Sequence, residues 1–584
     1  MRWKRHPQRS QAAEHYAREF DIHPLTAQLL LNRGVNGLEQ MRTFLEPRLE
    51  DLTDPFLMRG METAVRRIRR AIVRGERIHL HGDYDVDGLT STSVTLLALR
   101  RLGALVDYRI TQRHDASVGL SPSALKRDHL PQRPDLIITV DCGTSNLEAI
   151  DLAREQGIDV IVVDHHSPGP RLPRCAALLN PMQPQCGFPF KGLAAVGVAF
   201  TLVRGLQQFL ANDDRDWPDL GVAELTDLVA LGTIADVVPL VGDNRILVRE
   251  GLDLLCSARR PGICALMRSA GLLSDDSTAT SLRDRLNART IGFRVAPLLN
   301  AAGRMGDASR CVDLLTTDAF RTADAIAREL ESINLARQQC EREIVQQATR
   351  VAETFVHPET NALVLADATW HPGVLGIVAS RLADRFHMPV IVTSIDERGL
   401  AKGSVRSPET IDVLSALHGC RDLLETFGGH RVAAGVSFRA EHLETFRERF
   451  NSAVTAQLPD GTARDQLLEV DAHVRLADLS SRLLSELERL APFGHGNPEP
   501  VFESRDVQPL APRALGGDNL KVRFREGSQT VQAFGFGLAS RGNDLRARVD
   551  ILYTPRHAQS RRSRHLELVL RDIRSHHPDP DAAE

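Results

Sequence analysis

Four shortages narrow the reading of this 584-residue sequence before any motif is considered. Its eight cysteines (Cys142, Cys175, Cys186, Cys256, Cys264, Cys311, Cys340 and Cys420) show no CxxC spacing. That argues against a zinc site and suits reduced thiols in a cytoplasmic protein. Aromatic residues make up 5% of the chain, too few for an extensive base-stacking platform. Net charge is −4, so no global basic surplus points to nucleic acid, and any polyanion site must be a local groove, helped by bound cations. No apolar run approaches the ~18 residues of a membrane span, and Met1-Arg-Trp-Lys-Arg-His6 lacks an apolar signal core. What is present is the composition of an ordinary soluble protein, 42% hydrophobic and 25% charged. The length implies three or four domains.

Residues 1–60 read as short helices packed onto the domain after them. A helix is expected over Glu62–Arg74, with Ala64, Val65, Ile68, Ala71 and Ile72 on one side. Strand, loop and helix then alternate: Ile78–Leu80, Ser91–Leu102, Ala104–Ile110, and again through 136–156 and 158–163. Such alternation predicts a parallel, helix-covered sheet for a domain over 61–317. Residues 318–356 keep helical spacing through Ile326, Leu330, Ile333, Cys340, Ile344, Ala348, Val351 and Phe355 with no Gly or Pro. One helix there would span roughly 50 Å and connect two domains; a two-helix hairpin is the alternative. A second α/β domain is expected over 357–460. Over 465–575, five short β-like segments (468–470, 521–524, 530–534, 549–553 and 566–570) suggest a small OB-like barrel. The tail, 576–584, is polar and read as disordered.

The chemistry concentrates in His81-Gly-Asp83-Tyr-Asp85-Val-Asp87-Gly88. Asp141 follows the apolar run 136–140, Asp164-His165-His166 follows 158–163, and Asp236 ends Gly232-Thr-Ile-Ala-Asp236. In parallel sheets ligands bind at the C-terminal ends of strands, where three of these four clusters fall. An EF-hand reading of the aspartate loop fails: its twelfth position is Val94 rather than a bidentate Glu, and a strand precedes it. A purely capping role leaves three alternate aspartates repelling one another unless a cation neutralises them. Hard carboxylates with imidazole favour Mn²⁺ or Mg²⁺, and a pair of such ions is suited to phosphodiester hydrolysis.

These residues resemble the DHH phosphoesterase superfamily, named for signatures of the Asp164-His165-His166 type. Within it, they resemble the RecJ-type single-stranded-DNA-specific exonucleases. Trp370-His-Pro-Gly-Val-Leu-Gly-Ile-Val-Ala-Ser-Arg381, Lys402-Gly-Ser-Val-Arg-Ser407 and Gly428-Gly-His-Arg-Val-Ala-Ala-Gly435 are similar to the DHH-associated domain. Asn300-Ala-Ala-Gly-Arg-Met305, the Asn334, Arg337 and Glu341 trio, and the Pro492–Pro500 segment carry the likeness further, so that it covers roughly residues 50–570. The resemblance implies 5′→3′ hydrolysis of single-stranded DNA to mononucleotides with two Mn²⁺ or Mg²⁺ ions, in recombination and repair. It implies Asp85, Asp87, Asp141, His165 and Asp236 as metal ligands, with Asp141 or Asp236 bridging. Asp83 and His81 would lie in or just behind that shell. Asp85 and Asp236 are also expected to be catalytic, and His166 to contact the scissile phosphate. Arg113, Arg304, His371, Ser404, Arg406, Gly429 and His430 would bind DNA, with Ser404 and Arg406 in a 5′-phosphate pocket. Partners expected from the family are a single-strand binding protein and a RecQ-type helicase, with the chain itself a monomer. Two departures from the family pattern stand out: the segment Ile110–Gly119 and Leu298, where the family often has Arg.

Two rival functions differ in class. A nucleotide phosphatase of the superfamily would keep both α/β domains but lack the barrel and the N-terminal helices. A non-catalytic replication scaffold would show eroded Asp/His clusters, whereas all are intact here.

Overall fold

The computed structural model describes residues 2–111, 119–274, 282–283, 285–458, 467–557 and 565–576. The apolar runs before the aspartate clusters form the middle of a five-stranded, wholly parallel sheet. Its order is Leu105–Ile110, Arg77–Gly82, Leu136–Val140, Asp159–Val163 and Ala177–Leu179. The strand order reverses beside Arg77–Gly82, which opens a crevice at the C-terminal edge. Helices including Val86–Arg101, Ala195–Leu210 and Thr226–Ala235 bury their apolar faces with the sheet in one core.

The helix after the aspartate loop begins at Val86 rather than Ser91. Its first turns are rich in Thr and Ser, poor helix formers that hide it from a periodicity search. The fold buries these hydroxyls by bonding them back along the helix. Thr90 donates to Val86 O at 2.7 Å, Thr92 to Gly88 O at 2.8 Å, and Ser93 to Leu89 O at 2.7 Å.

Phe320–Phe355 is one unbroken 36-residue helix, about 54 Å long at 1.5 Å per residue. No hairpin interrupts it. Ala323, Ile326, Ala327 and Leu330 belong to the first domain's core, and Ile344, Ala348 and Ala352 to the second's. Between them Asn334, Arg337 and Glu341 are buried together, with Arg337 donating to Glu341 Oε2 at 2.5 Å. Glu341 also pairs with Arg381 of the second domain. The trio is therefore an interdomain knot rather than surface bonding along a helix.

The second domain carries a mixed sheet ordered Leu424–His430, Ala433–Arg439, Leu400–Arg406, Val390–Ile395 and Leu363–Asp367, only the last pair being parallel. Leu375–Phe386 packs against it.

The N-terminal segment departs from expectation. It opens with a strand, Arg2–Arg5, paired in parallel with Leu467–Val470. Its helices Ser10–Glu19, Pro24–Asn32 and Leu38–Leu45 share a core with the C-terminal barrel, not with the domain next to them in sequence. The cause lies in Pro24–Asn32, buried from Thr26 through Leu31, which needs partners on several sides. Glu486, from the barrel side, accepts from both His23 N and Thr26 Oγ1 at 2.7 Å.

The barrel is closed by five strands: Phe502–Leu515, Asn519–Glu526, Gln529–Gly535, Val549–His557 and Leu566–Ser575, with the first pairing the fourth. The segment at 468–470 is not one of them. The true first strand has no clear sequence signature because Arg505, Asp506, Pro509 and Pro512 break its alternation; a register shift between Leu510 and Arg513 accommodates Pro512. Of the tail 576–584, all but His576 lies outside the described residues. Among the described residues no helix is long and apolar enough to cross a membrane.

Candidate metal centre and phosphate cradle

Asp83, Asp85 and Asp87 leave the strand Arg77–Gly82 in a loop so tight that a Cβ on Gly88 would lie 2.5 Å from Asp83 O. Asp85 caps the next helix, its Oδ1 accepting from Asp87 N at 3.0 Å and Gly88 N at 3.1 Å. Capping and a metal role coexist here, because the cap engages only one of its oxygens. Asp87 is held by the N-terminus of Ala195–Leu210, accepting from Ala195 N at 2.7 Å and Val196 N at 2.8 Å. Asp141 sits at φ +62° beyond its strand, and Asp236 ends the helix Thr226–Ala235.

These elements bring seven of the expected residues together. Donor atoms converge in three overlapping groups: Asp83, Asp85 and Asp141; Asp87, His165 and Asp236; Asp141, His165 and His166. His165 Nε2 lies 3.4 Å from Asp141 Oδ1, 3.8 Å from Asp236 Oδ2 and 3.9 Å from Asp87 Oδ2. Asp83 Oδ1 and Asp141 Oδ1 are buried with no hydrogen-bond partner, an arrangement that is costly unless a cation fills it. Burial, then the neighbouring Asp85, push the carboxyls of Asp83 and Asp87 up to about 7. Burial, then Asp87, push Asp236 up to about 9. The donor set is all oxygen and nitrogen, which fits Mn²⁺ or Mg²⁺.

The paired histidines are driven apart. Burial and the neighbouring His166 lower His165 to about 4, leaving a neutral ring with a free lone pair. The bond to Asp164 raises His166 to about 9, with Nδ1 2.8 Å from Asp164 Oδ1. Asp164 was not among the expected site residues. Burial pushes its carboxyl up, but His166 and Thr144 outweigh that and hold it well below the usual range. It also accepts from the backbone of His165 at 2.7 Å and of Thr144 at 3.0 Å, so it orients the whole turn. The Asp-His-His triplet itself was the available signal.

His81 is not brought into the cluster. Its Nδ1 faces His129 Nε2 at 3.0 Å and its Nε2 faces Thr111 Oγ1 at 3.2 Å. It belongs to a buried stack of His79, His129 and His81 behind the loop. His129 had no sequence signal, since only folding brings it beneath the sheet.

Across the connector lies a second constellation. Arg406 and Ser404, on Leu400–Arg406, lie over Gly376 at the start of Leu375–Phe386: a Cβ there would meet Arg406 Nη2 at 3.1 Å and Ser404 Oγ at 3.3 Å. A glycine, a hydroxyl, a guanidinium and a helix N-terminus make a cradle for an anion. Arg304, from Ala296–Met305, reaches Gly373 O at 3.3 Å, and His371 Nδ1 accepts from Gly373 N at 3.0 Å, so both line the seam between the domains. Gly429 (φ +144°) and His430 are exposed at a hairpin. Arg113 lies outside the described residues. Leu298 is buried in the first domain's core.

A parallel sheet with an Asp/His cluster at its crevice defines a metal-dependent phosphoesterase of the DHH class. The family model for the DHH family, N-terminal domain, matches residues 77–233, that for the DHHA1 domain 359–456, and that for the RecJ OB domain 470–572. The chain is 35% identical to the single-stranded-DNA-specific exonuclease RecJ of Salmonella typhimurium over 98% of this chain and 100% of that one. It is 38% identical to the Bacillus subtilis protein of the same name over 92% of this chain, spanning 66% of that relative's length. The crystal structure of RecJ in complex with Mn²⁺ from Thermus thermophilus superposes with a TM-score of 0.82 at 31% identity, covering 98% of this chain and 79% of that one; its complex with Mg²⁺ gives 0.76. The chain belongs to the RecJ family of single-stranded-DNA-specific exonucleases.

Proposed function

We propose that this protein hydrolyses single-stranded DNA from its 5′ end to 5′-mononucleotides, serving recombination and repair. The observation that carries the reading is the pair of buried, unpartnered carboxylate oxygens inside the Asp/His cluster, in a chain whose relatives are named single-stranded-DNA-specific exonucleases. Two cations, Mn²⁺ or Mg²⁺, would be held by Asp83, Asp85 and Asp141 on one side and Asp87, His165 and Asp236 on the other, with Asp141 or Asp236 shared. When bound, they supply an activated water and neutralise charge on the phosphoryl oxygens. The remaining steps belong to the side chains. His166, charged at neutral pH and held by Asp164 through Nδ1, presents an Nε2–H donor to the scissile phosphate. Ser404 and Arg406 grip the terminal 5′-phosphate, which sets polarity by placing the end of the strand. Arg304 and His371 line the path between the domains, with Gly429 and His430 at its rim. Two strands would not fit that path, which accounts for the exclusion of duplex. A single-strand binding protein and a RecQ-type helicase are the partners proposed, with the chain a cytoplasmic monomer.

The test is digestion of a 5′-labelled single strand with Mn²⁺, beside its duplex and its 3′-labelled copy, using wild type and Asp236→Ala. The expected result is immediate release of labelled mononucleotide from the single strand alone, abolished by the substitution. Label retained in full-length DNA would overturn the polarity, and unimpaired Asp236→Ala would overturn the ligand set.

A further inference from the structure

The segment Phe493-Gly-His-Gly-Asn497 belongs to the barrel unit and takes no part in the chemistry above. Its neighbour in the first domain is the turn just after Asp236. Asp236 closes the helix Thr226–Ala235, its N–H donating to Gly232 O at 2.9 Å. The chain then reverses through Val237 at φ +59°. A β-branched residue in the left-handed region is strained and persists only where surrounding contacts hold it.

The turn is held from two sides. From within the domain, Asn244 donates to Pro239 O at 3.0 Å and to Gly192 O at 2.6 Å. From the barrel unit, His495 O accepts from Leu240 N at 2.8 Å. Contact there is close enough to demand glycine twice. A Cβ on Gly494 would lie 2.8 Å from Leu240 Cδ1, and one on Gly496, at φ +73°, would lie 3.0 Å from Pro239 Cβ.

The loop that presses on the turn is itself rigid. Gly494 and Asn497 exchange backbone hydrogen bonds at 2.9 and 3.1 Å. Asn497 is fully buried; it donates to Leu490 O at 2.9 Å and Pro492 O at 2.8 Å, and accepts from Arg33 Nε at 2.8 Å. The unit is anchored close by through Arg245, a buried guanidinium of the first domain. Arg245 donates to Phe44 O at 2.9 Å, Leu490 O at 2.8 Å and Arg489 O at 3.0 Å.

We infer that the Gly494–Asn497 loop is a positioning element for Asp236: the barrel unit sets the geometry of the metal centre through Pro239 and Leu240. The inference rests on the reading of Asp236 as a metal ligand. It makes the barrel unit part of the catalytic apparatus rather than only a surface for DNA.

The experiment compares wild type, Gly496→Val, Gly494→Ala, Asp236→Asn and Gly103→Val, all in the full chain. Gly103 has the same φ of +73° but open space around its Cβ position, so its variant carries the backbone strain without the contact. Mn²⁺ binding is measured by electron paramagnetic resonance of the free ion, alongside kcat, KM for a single-stranded oligonucleotide and Tm. Gly496→Val is expected to weaken Mn²⁺ binding and lower kcat, each about tenfold relative to Gly103→Val, with KM unaltered and Tm close to that control. Gly494→Ala, which displaces only a flexible leucine end, is expected to do the same about threefold and keeps the test open should Gly496→Val not fold. Mn²⁺ binding and kcat equal to the control would overturn the inference, as would a rise in KM alone, which would make the loop a DNA contact. Intact Mn²⁺ binding in Asp236→Asn would overturn the ligand assignment beneath it. Loss in Asp236→Asn with control-like glycine variants would overturn the positioning role only.

Discussion

The two α/β domains handle charge in opposite ways. The first gathers carboxylates at the end of a parallel sheet, buries them, and leaves Asp83 Oδ1 and Asp141 Oδ1 without a partner. The second sets Arg406 and Ser404, half-buried, around a glycine at a helix start. One site is a cluster of repelling charges that a cation must neutralise; the other is a set of ready donors that an anion completes. The difference teaches where stability and activity conflict. In the metal-free protein the first site destabilises the fold it sits in, whereas the second is nearly neutral until substrate arrives.

The most severe break of this contrast is Asp141→Asn. Activity with Mn²⁺ should fall ~10³-fold or more, because several kcal/mol of transition-state stabilisation depend on the bound charge. The metal-free variant should nonetheless melt at a higher temperature than metal-free wild type, since one repelling buried carboxylate is gone. A lower Tm would show that the cluster is not strained. Next in size is Arg406→Ala, which should raise KM for 5′-phosphorylated single strands ~10–100-fold, in line with ~1.5–3 kcal/mol for a charge-assisted hydrogen bond. Its metal dependence should not alter. Lysine should rescue only in part, because it cannot make the two-pronged contact. Equal KM for 5′-phosphate and 5′-hydroxyl substrates in wild type would remove the cradle from the reading.

A subtler effect is the pH dependence of stability in EDTA. Asp83 and Asp87 are raised to about 7 and Asp236 to about 9. The folded state therefore binds more protons than the unfolded state above the ordinary carboxylate range. Stability present at low pH is lost as pH rises through 7 and then 9. His166, also raised to about 9, acts in the same direction over that window. Tm in EDTA should fall between pH 6.5 and 9, and saturating Mn²⁺ should flatten the fall. An EDTA profile that rises over this window would contradict the burial of these carboxyls. The smallest effect belongs to His430→Ala at the exposed rim, where a solvated contact is worth ~0.5 kcal/mol and KM should shift about twofold. A tenfold shift would move the DNA path firmly onto that hairpin.

Much of the site could be read from the chain because its ligands follow strands. Asp83–Asp87, Asp141 and Asp164–His166 stand directly after apolar runs, and a parallel sheet sends all such ends to one edge. Asp236 had no strand before it, only its motif, and it reaches the cluster from a helix end. His81 was misplaced for the converse reason. It is the first residue of the motif, but it still lies within the strand, and its ring turns beneath the sheet to His129. The barrel strand Phe502–Leu515 was illegible because its prolines and charges are tolerated only where a bulge and the surrounding pairings absorb them.

By itself, the sequence determined the parallel sheet, the single connector helix and the identity of the carboxylate and imidazole donors. These depend on local periodicity and on residues adjacent in the chain. Only the tertiary structure decided that the first 45 residues complete the barrel's core, that Asp164 rather than a ligand role for His81 orders the site, and that a barrel loop bears on the turn after Asp236. These depend on contacts between residues hundreds of positions apart, and no local pattern encodes which buried surfaces will find each other.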